Sequence, residues 1–170
     1  MNLTDIHNGS RVLLDSNILL YAAARHSPDC VALIERIANG VVEACLTTVT
    51  VGEVCHRWMM EECRDRGIVL GGNPARALAE KRQVITQLTN YYSLTMAVLN
   101  GRFDIRSVES RDFILALQLQ RRWGLLTNES LQLAVAERMG INEIATADKG
   151  FDAVQGIIVY KPADINPTVQ

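Results

Sequence analysis

Four carboxylates stand at comparable places along the sequence: Asp15, Glu53, Glu129 and Asp148. Each one either ends an apolar run typical of a strand or lies in the first turns of a helix. Because a parallel sheet brings strand ends and the following helix starts to one edge, the four acids are expected to converge there. Converging carboxylates raise one another's pKa values unless a cation lies between them. The pattern therefore predicts a site for a hard divalent cation, Mg²⁺ or Mn²⁺, which takes oxygen ligands.

Each acid also has a simpler interpretation when it is taken alone. Asp15 can cap a helix by accepting a free backbone N–H, Glu129 can interact with a helix dipole, and Asp148 can form a turn. Glu53 can be a solvated helix residue. Four such acids at one predicted edge make coincidence the weaker interpretation. A metal cluster at that edge can polarise a phosphate and promote its displacement.

The elements around these acids predict a three-layer α/β/α sandwich with a short, mostly parallel central sheet. Arg11–Leu14 is a short, largely apolar run that ends at Asp15, the pattern of a strand buried on both faces. Two helical segments follow it. Val41–Thr47 is rich in β-branched residues and predicts the second strand, and Thr48–Cys63 predicts the helix after it. This β-α-α-β-α order implies a parallel sheet covered by helices.

The C-terminal part of the chain continues the alternation of helix and strand. Ser107–Trp123 predicts a helix that covers one face of the sheet, with Phe113 and Leu117 on its apolar side. Three further predicted elements follow in order, a helix, a strand that ends at Asp148 and an edge strand, at Glu129–Met139, Ile141–Ala147 and Ile157–Tyr160.

The stretch from about residue 64 to residue 106 carries few acids and no motif. Arg64–Pro74 is predicted to be a loop from its glycine and proline content. Its glycine pair is not a phosphate loop, because no Lys–Ser/Thr pair follows at the required place. Ala75–Leu99 predicts one long helix or two. We expect a single domain over residues 1–170, with a helical elaboration at about 64–106.

Composition narrows the class of protein. Of the 170 residues, 48% are hydrophobic and 21% charged, which is ordinary for a globular domain. No apolar run approaches the roughly 18 residues of a membrane span, and the N-terminus has no signal-peptide pattern, so a cytoplasmic protein without membrane association is expected. The net charge of −2 argues against non-specific coating of nucleic acid. A nucleic-acid substrate would require a local basic groove.

The cysteines predict buried apolar side chains rather than a metal site. Cys30, Cys45, Cys55 and Cys63 contain no C-x-x-C pair and lie in apolar segments. A zinc site built from Cys55, His56 and Cys63 is the alternative, but these spacings match no familiar ligand pattern.

Four segments of the sequence resemble the PIN-domain nucleases, in particular the VapC-type toxins and the PilT N-terminus-like ribonucleases. They are LLDSNIL, TTVTVGEV, LLTNESLQLAVAERMG and IATADKGFDAV. The strand-end D-x-N followed by an apolar helix is the specific element, and T-x-D-x-x-F near the C-terminus reinforces it. The resemblance covers roughly two thirds of the chain and leaves the stretch from about Arg64 to Arg106 unmatched.

The resemblance implies Mg²⁺- or Mn²⁺-dependent endonucleolytic hydrolysis of RNA. Asp15, Glu53, Glu129 and Asp148 would hold the metal directly or through water. Asn17 would orient Asp15 or a water, and Thr146 could do the same, although Asn17 could equally be a helix cap. The resemblance further implies the toxin of a toxin–antitoxin pair, with an antitoxin protein as partner. It also implies a homodimer, for which the apolar Ala75–Leu99 region is either the contact surface or part of the monomer's own core.

One position departs from the family pattern. Glu129 stands where the family usually carries aspartate, so the carboxylate is one methylene further from the backbone. This departure and the acidic pI keep a second function open: a catalytically weak or inactive PIN module that binds RNA or a protein partner. A haloacid-dehalogenase-type phosphatase fits less well, because Asn17 stands where its second acid is required. A receiver domain is excluded by the absence of paired acids after the first strand.

Overall fold

The computed structural model describes residues 1–68 and 74–165 of the chain. Within these residues, five parallel strands form one sheet in the order β3-β2-β1-β4-β5. The strands are β1 (Arg11–Leu14), β2 (Glu43–Thr47), β3 (Phe103–Arg106), β4 (Glu143–Ala145) and β5 (Ile158–Tyr160). The all-parallel order confirms the predicted α/β class, and the position of β5 at one edge of the sheet confirms its prediction as an edge strand.

Helices cover both faces of the sheet. They are α1 (Ser16–Ala23), α2 (Pro28–Ala38), α3 (Thr48–Asp65), α4 (Pro74–Glu80), α5 (Arg82–Ile85), α6 (Asn90–Leu99), α7 (Ser110–Trp123) and α8 (Thr127–Arg138), with 3₁₀ turns at Leu3–Asp5 and Gly150–Ala153. Successive side chains of a strand point to opposite faces. Val12 and Leu14 therefore pack with α1, α2 and α3, whereas Leu13 packs with α7 and α8. No helix in the described residues is long and apolar enough to cross a membrane.

The middle of the chain forms three short helices rather than the predicted one or two. Leu78 and Leu88 pack against Cys63 of α3, and Val98 of α6 joins the cluster beside α1, α2 and α3. The Glu62 carboxylate accepts hydrogen bonds from the backbone N–H groups of Thr89 (3.0 Å) and Tyr91 (2.9 Å) at the start of α6. These contacts attach α4, α5 and α6 to α3. The glycine pair of the predicted 64–74 loop lies outside the described residues.

The strand β3 was not predicted. The sequence of β3, Phe103-Asp104-Ile105-Arg106, alternates apolar and charged residues over only four positions. An edge strand has neighbours on one side only and is half exposed, so its sequence lacks a continuous apolar run. In the structure Arg11 of β1 donates to Asp104 (2.6 Å), which adds a tertiary contact that no local pattern shows.

The helix α7 was predicted with the wrong face inward. Phe113 and Leu117 are 50% and 61% exposed, whereas Asp112, Ala116 and Leu119 are buried. The inward face consists of apolar residues packed in the cluster with α8, among them Leu115, Ala116 and Leu119, and of Asp112, whose carboxylate bonds Arg138 of α8 at 2.8 Å. Several predicted boundaries also shift, since α8 begins at Thr127, and β4 ends at Ala145, so that Asp148 follows the strand by a short turn.

Candidate active site

All four predicted acids line one cleft of about 780 Å³ at the carboxyl edge of the sheet. The residue Asp15 follows β1, Glu53 lies in the second turn of α3, Glu129 in the first turn of α8, and Asp148 in the turn after β4. The strand β1 is the centre of the sheet and pairs with β2 and β4, which brings these starts and ends together. The parallel topology thus produces the convergence that the sequence predicted.

The Asp15 carboxylate is buried and accepts four hydrogen bonds. Its Oδ1 accepts from the Ser16 N–H (2.7 Å) and from Gln132 Nε2 (3.3 Å). Its Oδ2 accepts from Asn17 Nδ2 (2.6 Å) and from the Thr146 hydroxyl (2.7 Å). The bond to Ser16 makes Asp15 the cap of α1, as the simpler interpretation proposed. None of the four donors is positively charged, and within the described chain Asp15 makes no ion pair.

Asn17 and Thr146 connect Asp15 to the turn that carries Asp148. Asn17 Oδ1 accepts from the Ala147 N–H (2.9 Å), and the Thr146 hydroxyl accepts from the Asp148 N–H (3.0 Å). Thr146 is fully buried, so the hydrogen bond from its hydroxyl to Asp15 is shielded from water and strengthened. The two side chains fix the position of Asp15 relative to Asp148 across the β1–β4 pair.

The longer side chain of Glu129 has a specific place in the fold. Its Oε2 accepts from the Leu126 N–H (2.7 Å), which caps the start of α8. Its other oxygen lies directly against the Cα of Gly150, where any Cβ would collide with the carboxylate. Gly150 has no positive φ angle, so its lack of a side chain matters here for space and not for backbone conformation. Gly150 makes room for the additional methylene of Glu129.

Glu53 lies on the wall of the cleft that α3 forms. Arg57, one turn later on α3, lies 3.4 Å from its carboxylate, and Asn128 Nδ2 lies 3.5 Å from it on the α8 side. The Glu53 side chain is 23% exposed and that of Arg57 is 62% exposed. An ion pair this open to water is weak, so the Glu53 carboxylate is free to exchange its partner for another cation.

Gln132 was missed by the sequence analysis. It is 1% exposed, lies one turn after Glu129 on α8 and donates to Asp15, while its Oε1 is buried and has no hydrogen-bond partner among the described residues. A buried acceptor left without a partner is costly, and the cleft is where a water or ligand could supply one. The only sequence signal was a glutamine among the apolar residues of LQLAVA.

The donor set fits a hard divalent ion, although the acids are not arranged as a ready-made cage. No three His, Cys, Asp or Glu side chains of the described residues are grouped closely enough to hold a metal. Mg²⁺ does not require such a cage, because it is usually bound by one or two carboxylates, by several waters and by substrate phosphates. The carboxylate oxygens of the cleft and the unpaired Gln132 oxygen are ligands of the type that Mg²⁺ and Mn²⁺ prefer.

The parallel sheet and the acid-lined cleft define an α/β protein with its site at the carboxyl ends of the strands. The PIN domain family model matches residues 12–157, and the chain belongs to the PIN domain family. Members of this family are typically nucleases and usually depend on metal. No curated protein matches the sequence.

Solved structures that share the fold include the following three. One is VapBC2 from Rickettsia felis bound to a DNA fragment from its promoter (TM-score 0.56, 13% identity, 89% of this chain and 98% of that chain). Another is a toxin–antitoxin complex from Klebsiella pneumoniae (TM-score 0.50, 17% identity, 86% and 95%). The third is FitAcB from Neisseria gonorrhoeae (TM-score 0.51, 19% identity, 89% and 97%). At these identities the likeness establishes the fold alone.

Proposed function

We propose that this protein is a divalent-metal-dependent endoribonuclease that hydrolyses phosphodiester bonds in RNA. The observation that carries the proposal is the convergence of four carboxylates in one cleft, of which Asp15 is buried with no positive partner among the described residues. All four hydrogen-bond donors to Asp15 are neutral, so a divalent cation would be the natural partner of this buried charge. Membership of a family of typical nucleases supports the same function.

Each residue of the cleft has a distinct role in this proposal. Asp15, Glu53, Glu129 and Asp148 would hold Mg²⁺ or Mn²⁺, which when bound supplies Lewis-acid stabilisation of the phosphate charge. Asn17 and Thr146 would orient Asp15 and the Asp148 turn through the hydrogen bonds described above.

A second candidate function is a PIN module that binds RNA or a protein without cutting. One observation favours it: the Glu129 carboxylate already caps α8 through the Leu126 N–H, so metal binding must share or replace that bond. Catalysis is sensitive to such displacement, since about 1 Å can cost on the order of a hundredfold in rate. Metal binding is less sensitive, because Mg²⁺ accepts water in place of a missing ligand.

We also propose that an antitoxin protein and a second copy of the chain are partners. The Klebsiella pneumoniae neighbour is described as a toxin–antitoxin complex, which supports the first of these partners. Of the two alternatives for the 75–99 region, burial within the monomer applies to Leu78, Leu88 and Val98, which face the protein's own core. Light scattering tests the homodimer, and a strict monomer at high concentration would contradict it.

The test of the nuclease is a cleavage time course on mixed-sequence single-stranded RNA with Mg²⁺, Mn²⁺ or EDTA. Wild type is compared with Asp15→Asn, Glu129→Asp and Glu129→Ala. We expect slow, EDTA-sensitive cleavage by wild type and none by Asp15→Asn. Glu129→Asp should keep or improve the rate, and Glu129→Ala should reduce it.

The outcomes separate the two candidate functions. Cleavage that resists EDTA, or equal cleavage by all four proteins, would show that the activity does not come from this cleft. Inactive wild type together with clear cleavage by Glu129→Asp would favour a degenerated nuclease that now serves as a binding module.

A further inference from the structure

A second hollow of about 390 Å³ adjoins the acidic cleft and forms a groove between α1 and α3. Asn17, Tyr21 and Arg57 line both cavities, so the groove begins where the cleft ends. It follows α3 from Arg57 to Arg64. With a rise of 1.5 Å per residue, the stretch of α3 from Glu53 to Arg64 spans about 16 Å. The groove is therefore a direct continuation of the candidate active site.

The charge of this groove is opposite to that of the cleft. Its α3 wall carries His56, Arg57 and Arg64, and His26 lies on the other side, while Glu61 is its one acid among the described lining residues. Arg64 is exposed and makes no ion pair with any described residue. Arg57 has only the exposed, weak pair with Glu53. Guanidinium groups that are free or weakly paired in a groove are suited to binding phosphates.

The floor of the groove is apolar and offers a surface for a base. Leu20 and Met60 line it, and the partly buried Tyr21 stands at its junction with the cleft. Bases of single-stranded nucleic acid stack on aromatic side chains without sequence preference, beside a positive wall that follows the backbone. Both parts of such a binding site are present here.

We propose that the groove between α1 and α3 binds the segment of single-stranded RNA next to the scissile phosphate. Arg57 and Arg64 bind backbone phosphates, and Tyr21 stacks on a base at the entrance to the cleft. The proposal rests on the nuclease function proposed above and adds the path of the substrate. It also explains how a chain of net charge −2 with an acidic cleft can hold RNA: the attraction is local. Beyond His26, Glu61 and Asp65 line a further hollow and disfavour phosphates, which limits the groove to a short segment.

The test measures binding of a short, fluorescently labelled RNA of mixed sequence, with EDTA present to prevent metal-dependent cleavage. The variants are Arg64→Ala, Tyr21→Ala and Tyr21→Phe. Arg102→Ala is the matched control, because Arg102 is an exposed arginine just before β3, at the amino edge of the sheet. It removes the same charge on the opposite side of the molecule. Melting temperatures of all variants verify that they are folded.

Loss of one phosphate contact lowers the slope of log K against log salt by about 0.7, which is about fivefold in affinity at 0.1 M salt. We expect that change for Arg64→Ala and none for Arg102→Ala. Tyr21→Ala should weaken binding on the order of 5- to 100-fold, the range of base stacking, and Tyr21→Phe should restore it.

Equal losses of RNA affinity in Arg64→Ala and Arg102→Ala would show that net charge alone explains the effect, and this would overturn the proposal. Three other results would also overturn the proposal. They are wild-type RNA affinity in both Arg64→Ala and Tyr21→Ala, no RNA binding by wild type, and RNA binding that neither substitution changes and that an acidic peptide displaces.

The groove proposal and the nuclease proposal fail in different ways. RNA binding that depends on Arg64 and Tyr21 without any cleavage by wild type would overturn the nuclease and keep the groove. EDTA-sensitive cleavage by wild type, with an unchanged KM in Arg64→Ala and Tyr21→Ala, would overturn the groove and keep the nuclease.

Discussion

The buried and half-buried carboxylates of the cleft differ from two buried carboxylates elsewhere in the protein in what surrounds them. Outside the cleft, Asp112 bonds Arg138 at 2.8 Å, and Glu62 bonds Arg66 and two backbone N–H groups. Burial by itself would raise the pKa of Asp112, but the bonds from Arg138 and the Glu109 N–H outweigh it and hold the pKa below its ordinary value. Glu62 follows the same rule, with burial opposed by the backbone N–H groups and Arg66.

Inside the cleft, carboxylates have hydrogen-bond donors but few cations. Asp15 is 6% exposed and surrounded by neutral donors, and Glu129 and Asp148 make no ion pair with the described residues. The two carboxylates outside the cleft have cationic partners within the protein, whereas Asp15, Glu129 and Asp148 have none among the described residues. This difference underlies the proposal that the cleft acids bind a divalent cation.

The largest expected effect is on stability, from Asp112→Ala. This change leaves the largely buried Arg138 guanidinium without its main partner, and breaking a buried pair in this way costs about 3–5 kcal/mol. Urea unfolding measures the loss, and the rate of RNA cleavage per folded molecule should not change. Glu109→Ala is the control, because Glu109 is 45% exposed and its pair with Arg138 should contribute less than about 1 kcal/mol. Similar losses in both variants would contradict the comparison.

The next effect is on catalysis, from Gly150→Ala. The new Cβ must push the Glu129 carboxylate aside, and a displacement of about 1 Å costs on the order of a hundredfold in kcat/KM. In the Glu129→Asp background the shorter side chain leaves room, so the same change should have little effect. The double-mutant cycle measures this coupling. A loss of the same size in both backgrounds would mean that Gly150 does not act through Glu129.

Gln132→Leu should weaken metal binding or activity without lowering the stability of the fold. It removes the Nε2 donor to Asp15, and loss of such an orienting partner costs about tenfold or more in metal affinity or activity. Because Oε1 is unpaired, the apolar replacement should leave the free energy of unfolding unchanged or higher. Ser130→Ala is the matched control on α8, since among the described residues the Ser130 hydroxyl bonds only the Thr127 carbonyl. Lower stability together with unchanged Mn²⁺ affinity in Gln132→Leu would assign it a purely structural role.

The smallest effect is a dependence of stability on acid pH. The lowered pKa of Asp112 means that the unfolded chain takes up its proton first, at about pH 4. The contribution of Asp112 is therefore complete above that pH and is lost as the pH falls through the lower pKa of the folded state. Urea unfolding between neutral and acid pH should show a fall in the free energy of unfolding of wild type and a smaller fall in Asp112→Asn. Parallel curves for the two proteins would contradict it.

The sequence predicted the parts of the fold and site that depend on local order. Asp15 could be found because it ends a buried strand, and the parallel topology then determined where Glu53 and Glu129 would lie. The strand β3 and the inward face of α7 were missed: β3 is a four-residue edge strand without an apolar run, and the tertiary contacts of Asp104 with Arg11 and of Asp112 with Arg138 join residues distant in sequence. Gln132 is identified by a buried, unpaired oxygen, which only a structure can show. The single-domain extent over residues 1–170 and the catalytic roles of the acids stay predictions.

The central claim is that the cleft carboxylates await a cation, and titration calorimetry with Mn²⁺ and Mg²⁺ tests it most directly, without reference to RNA. We expect saturable binding to wild type and a matching rise in melting temperature, because a ligand that binds only the folded state stabilises it. Asp15→Asn keeps the shape of the side chain and removes the buried charge, so it should lose most of both responses. Equal Mn²⁺ binding by wild type and Asp15→Asn, or no saturable binding by wild type, would contradict the claim.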